Sequence, residues 1–193
     1  MNVPPEILRN DQVELRRWRA ADLDALDRAI HESLDHLRPW MPWAASHDRR
    51  QATEFLARNE TEWREGEAFG YAVTVRGALV GGCGLMRRIG AGGLDIGYWI
   101  HPDWTRRGLA TMAAGALTGE AFRLTGIDRV EIHHDAANPA SGAVALRLGF
   151  TEVSRAPDPE GPSAPGEAGV KVAWRTTVDQ WRARSAEPVR GTH

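Results

Sequence analysis

Residues 94–111 read LDIGYWIHPDWTRRGLAT, and the reading of this stretch decides the fold. Ile96, Tyr98 and Ile100 alternate with Asp95, Gly97 and Trp99, which predicts a strand, and Pro102 stops it. After a short turn, Leu109, Met112, Ala113, Ala116, Leu117, Glu120 and Leu124 recur at helical spacing, a mostly apolar stripe suited to lie on a sheet. Between strand and helix stands Arg106-Arg107-Gly108-Leu109-Ala110. The free N–H groups of a helix's first turn point at an anion, Gly108 and Ala110 let that anion reach the backbone, and two arginines add charge and forked donors. The turn therefore suits a phosphate. An ordinary basic helix start is the competing reading, and the Gly-x-Ala spacing alone favours it.

Working outward, two strands at 69–75 and 78–86 are joined by Arg76-Gly77, a two-residue hairpin signal. Gly81, Gly82 and Gly84 weaken the second strand's interior and predict close backbone approach or a bulge. A Gly-rich turn at 90–93 leads into the strand at 94–100, so this part is an antiparallel meander. Upstream lie an opening strand at 12–18 with Val13 and Leu15 on one face, a helix begun by Ala20-Ala21-Asp22, and a helix over 48–65 ended by Gly66. Between those helices, residues 34–43 carry Pro39, Pro42, Trp40, Met41 and Trp43, which read as a hydrophobic plug or as a pocket wall. Downstream, a strand at 129–135 is placed parallel to 94–100 by the intervening helix. Asn138 and Pro139 then start a helix reaching Leu148. A strand begins at 150–154, the Pro-, Gly-, Glu- and Ser-rich span 156–169 reads as a mobile, partly ordered loop, and 170–178 closes the sheet. The tail, 182–193, is expected to be disordered.

The chain of 193 residues is 42% hydrophobic, enough for one domain with a sizeable core spanning about 12–178. A formal charge of −2 with no basic stripe argues against a nucleic-acid partner. Neither a signal-peptide pattern nor a long apolar run is present, which predicts a cytoplasmic protein without membrane attachment. The lone cysteine, Cys83, sits in an apolar strand and reads as a buried, inert thiol.

Thr105-Arg106-Arg107-Gly108-Leu109-Ala110 resembles motif A of the GNAT superfamily of N-acetyltransferases, Gln/Arg-x-x-Gly-x-Gly/Ala, with Thr105 in place of the usual first residue. HLRPWMPW at 36–43, LDIGYWIHP at 94–102 and NPASGAVALRLGF at 138–150 extend the likeness to the branch containing RimJ and RimL, over residues 12–178. The resemblance implies an α+β (α/β) fold: a mostly antiparallel sheet of six to seven strands flanked by helices, with a splayed parallel pair. It implies acetyl-CoA as co-substrate and no metal. It also implies a primary amine acceptor, either a protein N-terminus or a small molecule, and is compatible with a homodimer. Coenzyme contacts are expected from Trp99, Ile100, Arg106, Arg107, Gly108, Leu109, Ala110, Thr111 and Asn138, and acceptor contacts from Trp40, Trp43 and Tyr98.

Direct transfer to an amine needs a base, an oxyanion donor and support for the leaving thiolate. Asp95 is the expected base, acting through a water, with Glu131 and Asp135 in reserve. His133 and His134 match no motif position, and no third ligand makes them a metal pair. Ser141, in Asn138-Pro139-Ala140-Ser141, is expected to hydrogen-bond the coenzyme sulfur. The oxyanion donor is expected to be a backbone N–H near Trp99 or Ile100, freed by a bulge. A non-catalytic acyl-CoA sensor, or transfer of another acyl group, is the alternative.

Overall fold

The computed structural model describes residues 2–10 and 12–186. The described residues form eight strands: β1 (Ile7–Arg9), β2 (Glu14–Arg17), β3 (Ala68–Val75), β4 (Ala78–Met86), β5 (Gly93–Ile100), β6 (Arg129–Asp135), β7 (Thr151–Pro157) and β8 (Val170–Thr177). Helices α1 (Leu23–Leu37), α2 (Arg49–Glu65), α3 (Leu109–Ala121), α4 (Pro139–Arg147) and α5 (Val178–Ala186) flank them. One sheet contains all eight strands in the order β1-β2-β3-β4-β5-β6-β8-β7. That is one more strand than the upper expectation. The addition is β1, whose three residues pair with β2 at Leu8↔Leu15 and are too few to show a period of two.

Local chemistry accounts for the boundaries. Asp48 caps α2 by accepting the Gln51 amide at 2.7 Å, and Gly66 ends it in the left-handed region at φ 77°. Arg76 and Gly77, at φ 50° and 82°, make the tight β3–β4 hairpin. The glycines of β4 serve close approach: a Cβ on Gly82 would lie 2.7 Å from Trp99 Nε1, and one on Gly81 would lie 2.2 Å from the Trp99 carbonyl. One face of the sheet buries Leu94, Ile96, Val130 and Ile132 with Leu109, Ala113 and Leu117 of α3. The other face buries Ala72 with Trp18, Leu26, Ile30 and Leu56. Each fully buried aliphatic side chain of this kind contributes about 1.5–3 kcal/mol.

The feature that positions the site is the junction of β5 and β6. They pair in parallel only at Gly93↔Arg129, Leu94↔Val130 and Asp95↔Glu131. Beyond Asp95, β5 continues against β4 up to Ile100, and β6 continues against β8 up to Asp135. The two strands part in a V.

Three expectations are corrected. No register shift occurs in the β4–β5 ladder, so β5 does not bulge at Trp99 or Ile100; the extra residue is Val80 of β4, beside Gly81 and opposite the Val73–Thr74 step of β3. Of the span 156–169 expected as a loop, Ala156 and Pro157 belong to β7, and the rest is tied down: Asp158 donates to the Gly169 carbonyl at 2.8 Å, and Gly166 donates to the Pro39 carbonyl at 2.9 Å. Its order comes from partners distant in sequence. Residues 182–186, expected as frayed tail, continue α5, while 187–193 lie outside the described residues. Among the described residues no helix is long and apolar enough to cross a membrane.

Candidate active site

A cleft of about 850 Å³ opens where β5 and β6 part and runs to the start of α3. At its far end, Arg106 takes a positive φ of 60° and Gly108 one of 76°, and the chain then enters α3 with no side chain capping the helix. Met112 donates to the Gly108 carbonyl, leaving the amides of Leu109, Ala110 and Thr111 as the unfilled first turn. Gly108 is needed here because a side-chain-bearing residue is disfavoured at this φ. Arg106 lines the cleft. Arg107 does not: its guanidinium lies 4.7 Å from the centre of the Trp104 ring and donates to the Asp103 carbonyl at 2.9 Å. Of the two arginines, one supports the turn from behind while the other faces the cleft.

Along the cleft, the open edge of β5 supplies donors without a bulge. His101 donates to the Val80 carbonyl at 2.8 Å. Antiparallel alternation then turns the Trp99 and Gly97 amides toward β4 and the Ile100, Tyr98 and Ile96 amides toward β6. Since β6 has already departed, the Tyr98 and Ile100 N–H groups face the gap. At the position where an oxyanion donor was expected, the Ile100 N–H thus faces the gap by splay rather than by bulge.

Ser141 sits in the first turn of α4. Asn138 caps that helix, its Oδ1 accepting the Ser141 amide at 3.3 Å. The Ser141 Oγ is 2.9 Å from the Tyr98 hydroxyl, which also reaches the Ser141 carbonyl at 3.2 Å. Burial pushes the Tyr98 phenol up to about 12, with the Ser141 hydrogen bond opposing it. Tyr98 therefore stays protonated at every physiological pH and can act as a donor. The sequence reading placed Tyr98 among the acceptor contacts and missed this partnership. Its signal was parity: Tyr98 shares a face with Ile96 and Ile100, the face that α3 covers, whereas Trp99 points to the opposite core.

The near wall comes from His36, Leu37, Trp40 and Met41. Trp43 does not line the cleft; it is 41% exposed and makes an edge contact with His47. His36, Met112 and Arg147 line the cleft without having been singled out.

Asp95 is enclosed rather than cleft-lining, with 1% of its side chain exposed. Its Oδ2 receives the Arg88 Nε at 2.5 Å, and among the described residues Oδ1 has no partner. Parity puts it on the same face as Trp99. Glu131, one strand over, is engaged on both oxygens, with His133 Nε2 at 2.6 Å and Arg175 Nε at 2.7 Å. Burial alone would raise its carboxyl, but those hydrogen bonds outweigh it and hold Glu131 below the usual carboxylate range. Asp135 is occupied as a clamp, accepting the amides of Ala137 and Ala168 at 2.8 Å and of Val170 at 3.0 Å. His134 is structural, accepting from Trp174 Nε1 at 3.0 Å and packed against Gly142. His133 and Glu131 open on a second hollow of about 480 Å³, between β6, β7 and β8. Cys83 is buried, which pushes its thiol well above the usual range and leaves it unsuited to covalent catalysis.

A sheet parted beside an uncapped, glycine-led helix start defines an acyl-coenzyme transferase architecture, and the chain belongs to the acetyltransferase (GNAT) domain family, matched over residues 12–151. Its relatives include YdaF of Bacillus subtilis (strain 168), provisionally named a ribosomal N-acetyltransferase. YdaF is 28% identical over 155 residues, which cover 77% of this chain and 83% of that protein. Among solved structures, RimL, a ribosomal L7/L12 alpha-N-protein acetyltransferase in complex with coenzyme A, superposes with a TM-score of 0.82 at 21% identity, covering 91% of this chain and 99% of that one. RimJ of Mycobacterium smegmatis, in complex with CoA-disulfide, gives 0.77 at 24% identity, with 86% and 82% covered. The microcin C7 self-immunity acetyltransferase MccE, in complex with acetyl-CoA and AMP, gives 0.80 at 19% identity, with 88% and 94% covered. At these identities the superpositions establish a common fold.

Proposed function

We propose that this protein moves an acetyl group from acetyl-CoA directly to a primary amine, with a protein N-terminus as the leading acceptor and a small-molecule amine as the second. The observation that carries this reading is a continuous cleft. It has an unfilled amide cradle at 108–111, free β5 amides along its length and the Tyr98–Ser141 pair on its α4 side. The names of YdaF, RimL and RimJ support the protein acceptor and a cytoplasmic setting; MccE keeps the small-molecule class open.

The residues suit the coenzyme. The amides of Leu109, Ala110 and Thr111, with the Arg106 guanidinium, would hold its diphosphate. Asn138 and the gap-facing β5 amides would guide the extended arm. Acetyl-CoA supplies an activated acyl group, and everything else is positioning and proton handling. The Ile100 N–H polarises the acyl oxygen in a desolvated slot. The Tyr98 hydroxyl donates to Ser141 Oγ, which frees the serine proton for the departing sulfur. Trp40 offers a ring face to the approaching amine. Asp95, enclosed with Arg88 on one oxygen, does not face the cleft, so the acceptor amine gives up its proton to solvent at the open side of the cleft.

The test mixes purified protein with acetyl-CoA and a panel of amines, comparing short peptides with free N-termini against polyamines and amino sugars. Thiol release with the peptides supports the leading acceptor, and release with small amines alone moves the assignment to that class. Coenzyme binding with no release on any amine would overturn catalysis in favour of a sensor.

A further inference from the structure

A cluster outside the cleft combines two imidazoles and a carboxylate with the spacing of a metal site. Asp27 and His31 lie one turn apart on α1, so their side chains share a face. His47 is brought beside them by the 3-10 turn at Pro42–Ser46, which folds the chain back after α1. Among the described residues, the candidate ligand atoms of Asp27, His31 and His47 all lie within 4.8 Å of one another. Asp27 Oδ1 is 3.3 Å from His31 Nδ1 and 3.1 Å from His47 Nε2. In a tetrahedral zinc site with bonds of about 2.0–2.1 Å, neighbouring ligand atoms stand roughly 3.3 Å apart. The two edges already have that length.

The surroundings fit as well. The His47 side chain is 3% exposed and that of Asp27 17%, so two ligands are held by packing, while His31 is half exposed and leaves an open side for water. Arg49 is engaged by Asp24 at 2.6 Å and lies 3.9 Å from the other Asp27 oxygen, which leaves Oδ1 to the two imidazoles. In the metal-free chain His31 Nδ1–H donates to the Asp27 carbonyl at 2.8 Å, a bond that metal binding must release by a turn of the ring. Two imidazoles and one carboxylate select a borderline divalent ion such as zinc over calcium or magnesium.

We propose that Asp27, His31 and His47 form a structural site for a zinc-class divalent cation. Bound metal replaces the hydrogen between the Asp27 carboxylate and the His47 ring and the one that His31 Nδ1 gives the Asp27 carbonyl, the imidazoles binding as neutral tautomers. It staples α1 to the chain at His47 and so closes residues 31–47 into a loop. That loop contains His36, Leu37, Trp40 and Met41, the near wall of the cleft. The acetyl transfer itself uses no metal, and the staple fixes the wall against which the acceptor lies. This consequence rests on the function proposed above, whereas occupancy of the site does not.

The experiment is calorimetric titration of the tag-free, chelator-treated full chain with zinc chloride, alongside thermal melts with and without zinc. One equivalent should bind, and the melting temperature should rise. His31→Ala, at an exposed position that leaves the fold intact, should weaken binding at least tenfold and abolish the rise. His47→Ala should do the same, and the melts without metal report whether that variant folds. Failure of the wild-type chain to bind, or binding undiminished in His31→Ala, overturns the proposal, the latter by assigning the metal to other histidines.

Discussion

Replacing Gly108 by glutamate separates the phosphate cradle from the scaffold that carries it. Gly108 sits at φ 76°, and a Cβ there would meet only Met112 Cε at 3.7 Å, an ordinary contact. The steric cost is small. A residue bearing a side chain in the left-handed region loses about 1–2 kcal/mol, against a stability of about 5–15 kcal/mol for a domain of this kind. The fold should survive. Charge does the damage: a carboxylate about 5 Å from a phosphate repels it by about 0.8 kcal/mol in water and about 3 kcal/mol at an effective dielectric near 20. For two phosphates the loss is about 1.7–6 kcal/mol, at least roughly 15-fold in affinity. Gly108→Ala carries the same strain without the charge and should stay within about threefold of wild type. Calorimetry with coenzyme A reads the affinity, and a thermal melt reads the fold. A folded Glu variant that binds coenzyme as tightly as wild type would refute the cradle.

Ser141→Ala should lower kcat by about a hundredfold, the range for removing a proton donor, while coenzyme affinity measured by calorimetry changes by less than about threefold. Tyr98→Phe should lower kcat less. Because burial raises the folded phenol to about 12 from 10.0, wild-type stability from this group is complete below pH 10 and is lost as pH rises through 12. Tyr71 and Cys83, also raised by burial, lose stability in the same window in both proteins, so urea melts should show the Tyr98→Phe variant losing at most about 2–3 kcal/mol less than wild type. Trp40→Ala should raise the acceptor KM roughly 5- to 30-fold, whereas the exposed Trp43→Ala should shift it less than about twofold. Asp135→Asn weakens three hydrogen bonds to a solvated carboxylate and should cost about 1–2 kcal/mol in a urea melt, with faster proteolysis inside 158–169.

The elements legible in the sequence were those with local causes. Asp48 and Gly66 bound α2, Arg76-Gly77 closes its hairpin, and Asn138-Pro139 opens α4. Each is a near-neighbour effect of capping or turn chemistry, so one chain suffices to read it. The parallel placement of β6 followed from the crossover through α3. What could not be read depended on distant partners. Order in 158–169 comes from Asp135 and Pro39, neither of them near in sequence. Asp95 looked like an available carboxylate because nothing local announces Arg88 as its partner. The free amides of β5 were expected from a bulge, but they arise because β6 leaves the sheet edge to pair with β8, which is a property of topology. The metal cluster was hidden for the same reason: His47 becomes a neighbour of Asp27 only once the chain turns back.

The hydrogen bond from Gly166 to the Pro39 carbonyl links two segments that differ in composition and lie more than a hundred residues apart. A Cβ at Gly166 would sit 2.6 Å from that carbonyl oxygen, so the junction tolerates no side chain without moving. Lengthening or shortening either segment therefore drags the other out of place. The wall that His36, Leu37, Trp40 and Met41 give the cleft is thus braced from a segment that does not itself line it.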